Sequence, residues 1–359
     1  MTFKTVLLGT AATVFVAGTA AANDLTVVSW GGAYTKSQVE AYHKPWMEQT
    51  GKTIISEDYN GGLAEVKAQV DAGNVTWDIV DVELSDAVRG CDEGLFEEID
   101  ASILPAGADG TPAEEDFIEG SINDCAVANI VWSTIYAYDK ATMADAQPTS
   151  MADFFDLEAF PGKRGLRKSP KANLEMALIA DGVPVDEVYD LLDTDEGVDQ
   201  AFAKLDSIKD EVVWWEAGAQ PPQLLADGEV AMTTAYNGRI FNAAIGEGQE
   251  FEIVWDGQVL DFDLWAIPKG APNMENALDF LVFSTETEQL ANQASWISYG
   301  PARKSAGPLV GLYNDGKTEM APHMPTASAN METALVNNFE FWADNQDELD
   351  ERFSAWLAQ

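Results

Sequence analysis

Short apolar runs alternate with amphipathic stretches along most of the chain. Residues 25–30, Leu-Thr-Val-Val-Ser-Trp, read as a strand closed by Gly31 and Gly32. Residues 35–50 place Val39, Tyr42, Trp46 and Met47 on one face at helical spacing, and Gly51 stands at the left-handed stop. A second strand is expected over 52–56, a helix over 63–72 closed by Gly73, a third strand over 77–82 and a third helix over 86–93 before Gly94. Strand and helix in alternation predict a mainly parallel sheet with helices on both faces.

The pattern continues beyond. Residues 130–138, Ile-Val-Trp-Ser-Thr-Ile-Tyr-Ala-Tyr, form a β-rich run long enough to pass from one lobe to another. A short strand at 164–167 precedes a helix over 172–182, and a strand at 229–236 precedes a helix over 238–245. Further strands are expected at 251–255 and 263–267, and helices at 275–283, 287–294 and 340–357. The fold class expected is α/β and bilobal, with two α/β lobes joined by extended hinge strands and a cleft between them.

The N-terminus changes the picture of where this fold works. Lys4 precedes an apolar run, and Ala20 and Ala22 satisfy the small-residue cleavage rule. Residues 1–22 are expected to be a cleaved signal peptide, since the apolar run is too short to span a bilayer. The expected location is the periplasm. Cys91 and Cys125 are the two cysteines. An oxidising compartment makes them a disulfide, the other reading being two buried thiols.

The 61 acidic residues against 20 basic ones give a formal charge of −41. Such a field repels nucleic acid and anionic membranes, and it gathers cationic solutes besides aiding solubility. A Walker-like stretch, Gly311-Leu-Tyr-Asn-Asp-Gly-Lys-Thr318, lacks its context, because Pro308 interrupts the lead-in and Pro322 and Pro325 the exit. Phosphate binding is not expected there. His43 and His323 stand alone, with no metal-ligand spacing and no nucleophile elbow. No enzyme activity, metal or cofactor is expected; a secreted hydrolase and a metal-ion carrier are the weaker rivals.

Several segments in order resemble the periplasmic substrate-binding proteins of ABC importers, of the spermidine/putrescine type. They are VVSWGGAYTKSQVEAYHKPWMEQTGKTI, WDIVDVELSDAVRGCDEGLFEEID, ANLEMALIADG, LADGEVAMTTAYNGR, DFDLWAIPKGAPN and WISYGPAR. The likeness spans nearly all of the mature chain. It implies a monomer whose lobes close on a small-molecule solute and hand it to an ABC permease in the inner membrane. The corresponding division puts one lobe at 23–132 with 258–301, and the other at 133–257 with 302–359.

An amine-bearing solute needs carboxylates for its ammonium and aromatic faces for its methylenes. Both occur at expected strand ends, where ligands sit in open α/β sheets. Trp30, Tyr236, Asp263 and Tyr299 match the family's aromatic box and acidic anchors most directly; Tyr34, Glu83, Ser85, Asp261 and Trp296 match it less so. The first expectation is a putrescine- or spermidine-class polyamine. Two features depart from it. Where polyamine binders of the family are acidic, this chain carries Lys163, Arg164, Arg167, Lys168 and Lys171, which reads as a solvated or permease-facing patch or as part of the site. Arg239, one turn beyond Tyr236, either holds a carboxylate or else neutralises site acids or caps the lobe. The alternative solute is therefore a zwitterionic ω-amino acid such as 4-aminobutyrate, with Arg239 on its carboxylate and Asp263 on its amine.

Overall fold

The computed structural model describes residues 24–143 and 147–359. The expected signal peptide lies outside them. Among the described residues eleven strands form one sheet. The first six are β1 (Asp24–Ser29), β2 (Thr53–Asp58), β3 (Ile79–Glu83), β4 (Ile122–Asn123), β5 (Ala126–Asp139) and β6 (Arg164–Arg167). The others are β7 (Val212–Trp215), β8 (Met232–Tyr236), β9 (Phe251–Ala266), β10 (Gly300–Pro301) and β11 (Leu335–Val336).

The main path runs β2-β1-β3-β9-β5-β8-β6-β7. Its two flanks, β2-β1-β3 and β8-β6-β7, are parallel, as βαβ crossovers require. Between them β5 and β9, 14 and 16 residues long, pair antiparallel with each other. At about 3.3 Å per residue such strands reach roughly 50 Å, enough to enter two separate cores. Val131, Leu264 and Trp265 pack into one core with Val27, Val80, Trp46 and Phe280. Tyr136, Val254 and Val259 pack into another with Phe154, Leu178, Phe202 and Trp342. The molecule is thus two α/β lobes joined by extended strands.

The separate strands expected at 251–255 and 263–267 are one continuous strand. The sequence Asp256-Gly257-Gln258 resembles a turn, and Gly257 does take a left-handed φ of 66°, but each residue has a partner that keeps the segment as a bulge within the strand. The Asp256 carboxylate accepts from the Met151 N–H at 2.8 Å, and the Gly257 N–H donates to Thr333 Oγ1 at 3.2 Å. Gln258 donates to the carbonyls of Pro325 and Asn330. A register shift between Thr134 and Tyr136 absorbs the irregularity. The helix expected over 35–50 is Gly32–Gln38 and Lys44–Thr50 joined by a π turn at Val39–His43. Gly51, at φ 71°, ends it by donating to the Met47 carbonyl.

The Walker-like stretch has neither strand before it nor helix after it; short 3-10 turns flank it. The Asp315 carboxylate accepts from the Lys317 and Thr318 N–H groups at 2.8 and 2.9 Å. Those amides are therefore engaged within the loop itself.

Cys91 and Cys125 form a disulfide that closes 34 residues and ties the helix Leu84–Asp92 to the start of β5. In the chain-entropy model a loop of that length stabilises by about 4 kcal/mol. Reduction is expected to lower the urea midpoint, measured by tryptophan fluorescence. An unchanged midpoint would show that the bond contributes nothing to stability.

Candidate functional site

The residues of the site sit where strands end or cross. Trp30 follows β1, Glu83 ends β3, Tyr236 ends β8 and Tyr299 precedes β10. Asp263 lies on β9 opposite both Glu83 of β3 and Ile130 of β5. Thr134 of β5 faces Tyr236, which brings Trp132 of the same strand to the same point. Trp30, Tyr34, Glu83, Tyr236, Arg239, Asp263 and Tyr299, all expected from the sequence, line one narrow chamber together with Trp132.

The aromatic rings are held edge to face. Trp132 meets Tyr236 at 4.9 Å and 76°, and Tyr34 meets Tyr299 at 5.3 Å and 82°. Trp215 supports Tyr236 from behind at 5.5 Å and 90°. These are the arrangements that the ring quadrupoles favour. Two glycines let the rings lie where they do. A Cβ on Gly61 would come within 2.2 Å of the Trp30 ring, and one on Gly238 within 2.6 Å of Tyr299. Either substitution would displace a wall of the chamber.

Asp263 is the pivotal acid. It is 4% exposed, and its protein partner is the Trp132 indole N–H, which donates to Oδ1 at 2.7 Å. Burial, then the nearby Asp81, Glu83 and Asp261, push its pKa well above the usual carboxylate range. Asp81 lies behind it, raised by burial to about 6 although Ser29, Gln38 and Asn129 donate to it.

Glu83 is in the opposite condition. Burial alone would raise its pKa, but Lys171 and Arg167 override burial and hold it at about 2. Lys171 Nζ lies 2.8 Å from Glu83 and 2.9 Å from Asp261, and it also donates to Ser85 Oγ at 2.9 Å. Arg167 Nη1 lies 3.0 Å from Glu83, and its guanidinium stands over the Trp30 and Tyr236 rings at 6.0 and 5.8 Å.

Arg239 reaches across the chamber. Its Nη1 donates to the Gly31 carbonyl at 2.6 Å and its Nη2 to that of Trp30 at 3.0 Å. Gly32 is needed for this, since a Cβ there would meet Nη1 at 2.6 Å. The buried Arg239 Nε and the Trp30 Nε1 donate to no protein atom. Buried donors of this kind are rare unless a ligand or water satisfies them.

The remaining expected residues lie elsewhere. Ser85 is a partner of Lys171, and Asp261 sits with Lys171 in an adjoining recess. Trp296 packs against the first lobe's core. The basic cluster is solvated only in part, at Lys163 and Lys168. Arg164 is fully buried and donates to the carbonyls of Phe154, Gly162, Asp156 and Phe160. Arg167 and Lys171 face the site, while Lys168 pairs with Glu216 at the surface. Trp132, Arg167 and Lys171 were not singled out as site residues by the sequence. Trp132 lies in an apolar run where site-facing and core-facing positions read alike. The two cations were visible as charges, but their sign argued against an amine site.

Residues 41–326 match the model of the bacterial extracellular solute-binding protein family. The chain is 46% identical to a gamma-aminobutyric acid-binding protein of Pseudomonas aeruginosa, over 96% of this chain and 93% of that one. A putrescine-binding periplasmic protein of the same species is more distant, at 26% over 82% of this chain and 83% of the other. Among solved structures, the periplasmic binding protein MotA of A. tumefaciens B6 in complex with glucopine superposes with a TM-score of 0.84 at 33% identity. It covers 93% of this chain and 99% of its own. The Atu4243 GABA receptor superposes with a TM-score of 0.78 at 31% identity, covering 94% of this chain and 98% of its own.

Proposed function

Because this chain belongs to the bacterial extracellular solute-binding protein family, we propose that its chamber captures a short ω-amino acid, with 4-aminobutyrate the solute it fits best. The observation that carries this reading is the polarity of the chamber. At one wall Asp263 is a buried carboxylate with a single neutral donor, and at another Arg239 presents a buried guanidinium Nε with no acceptor. An ammonium on Asp263 and a carboxylate on Arg239 would satisfy both, with the methylenes between the faces of Trp30, Trp132 and Tyr236. The similarity to a gamma-aminobutyric acid-binding protein supports the same solute.

A diamine suits the chamber less well. Its second ammonium would need Glu83, which Lys171 and Arg167 already neutralise, and it would meet Arg239 as a like charge. The polyamine reading drawn from the sequence therefore gives way to its alternative. Three buried methylenes contribute about 2 kcal/mol at roughly 0.8 each. Two charge-assisted anchors at about 1.5–3 kcal/mol each bring a micromolar complex, at about −8 kcal/mol, within reach.

The protein would act after export directed by residues 1–22, as the periplasmic receptor of an ABC importer, passing its solute to the permease. Titration calorimetry tests the solute. 4-Aminobutyrate is expected to bind at micromolar concentration or tighter and putrescine at least 100-fold more weakly. Putrescine binding as tightly as 4-aminobutyrate would refute the reading.

A further inference from the structure

The acids around the chamber outnumber what a one-amine solute requires. Asp263 and Asp261 occupy alternate positions on β9, so their side chains leave the same face roughly 7 Å apart. Glu83 stands directly across from Asp263 on β3. Two acidic anchors at that spacing suit the two ends of a four-carbon diamine. One of them is already filled by the chain itself.

The Lys171 ammonium lies at hydrogen-bond distance from three acceptors, Glu83, Asp261 and Ser85, and the side chain is 5% exposed. It donates hydrogen bonds to Glu83 and Ser85 and forms an ion pair with Asp261, a set of polar partners that a bound alkylammonium would also need. The backbone holds it there at some strain. Ala172, next in the chain, has φ 67° and ψ −33°, a sparsely populated conformation and the one positive φ outside glycine among the described residues. The helix Asn173–Ala180 starts immediately afterwards, so this turn aims Lys171 into the cleft rather than along the helix.

We infer that Lys171 is a resident ammonium that occupies the second amine position of a two-amine site, and thereby makes the chamber select solutes with one amine and one carboxylate. The inference rests on the ω-amino acid reading for the identity of the preferred solute, but the role of Lys171 is testable without it. Removing the lysine side chain leaves Asp261 without a cation and Glu83 with Arg167 alone. The site then carries one further negative charge and an amine-shaped space beside it.

Lys171→Ala and the wild type are compared by thermal shift and calorimetry with 4-aminobutyrate, 1,4-diaminobutane and n-butylamine. In the variant, 1,4-diaminobutane is expected to bind at least tenfold more tightly than in the wild type. The ratio of diamine to 4-aminobutyrate affinity should rise by 100-fold or more. The double variant Lys171→Ala/Asp261→Asn removes the new charge and should lose most of the diamine gain, which a purely structural lysine would not predict. If Lys171→Ala does not fold alone, refolding with 1,4-diaminobutane should restore the native circular dichroism, and a failure to do so overturns the inference. An unchanged affinity ratio in a folded variant overturns it as well. Absence of 4-aminobutyrate binding to the wild type would refute the functional reading and leave the diamine comparison intact.

Discussion

Asp263→Asn is expected to weaken 4-aminobutyrate binding by at least about 100-fold in calorimetry while leaving the protein as stable as before or more so. Removing one member of a buried ion pair costs about 3–5 kcal/mol, and in the complex the other member would be the solute ammonium. The fold should not suffer, because asparagine keeps the carbonyl oxygen that accepts from Trp132. The sign of the stability change follows from the raised pKa of Asp263. A carboxyl whose folded pKa exceeds its unfolded value contributes stability below the unfolded value and loses it as pH rises through the folded one. At neutral pH, above the unfolded value, the raised pKa of Asp263 is therefore a cost that asparagine removes. The same shift gives the wild type a pH-dependent affinity: protons compete with the ammonium, so 4-aminobutyrate should bind more weakly at pH 5 than at pH 8. Undiminished binding by Asp263→Asn would mean that the amine sits elsewhere.

Arg239→Ala is expected to cost 4-aminobutyrate about 100-fold or more in affinity while changing n-butylamine binding by less than about threefold. The carboxylate would lose its charge-assisted Nε–H partner, whereas a solute without a carboxylate has nothing to lose. Arg239→Lys should recover only part of the loss, since an ammonium cannot reproduce the planar fork that also grips the Gly31 and Trp30 carbonyls. Equal losses for the two solutes would show that Arg239 only holds the chamber walls together.

The alternation of strands and helices was legible because each element carries local signals: apolar runs, helical spacing and glycine stops such as Gly51. What local signals missed was set by distant partners. Asp256-Gly257-Gln258 reads as a turn and becomes a bulge within one strand because Met151, Thr333, Pro325 and Asn330 hold it in place. The site followed the same division. Residues at strand ends beside glycine or asparagine, such as Trp30 and Tyr236, were visible from position alone. The state of each acid was not. Asp263 and Glu83 look alike in sequence, yet one is left with a neutral donor and the other is gripped by two cations some 84 and 88 positions away. That difference, rather than the presence of acids and rings, is what separates an ω-amino acid site from a diamine site. Arg167 and Lys171 were misread because a basic cluster on a very acidic protein resembles a surface patch until its partners are known.

A crystal structure of the protein grown with 4-aminobutyrate decides the orientation of the solute. The amine should lie within hydrogen-bond distance of Asp263 and the carboxylate at Arg239, with Lys171 still on Glu83 and Asp261. A solute lying the other way round, or bound outside the ring of Trp30, Trp132 and Tyr236, would contradict it.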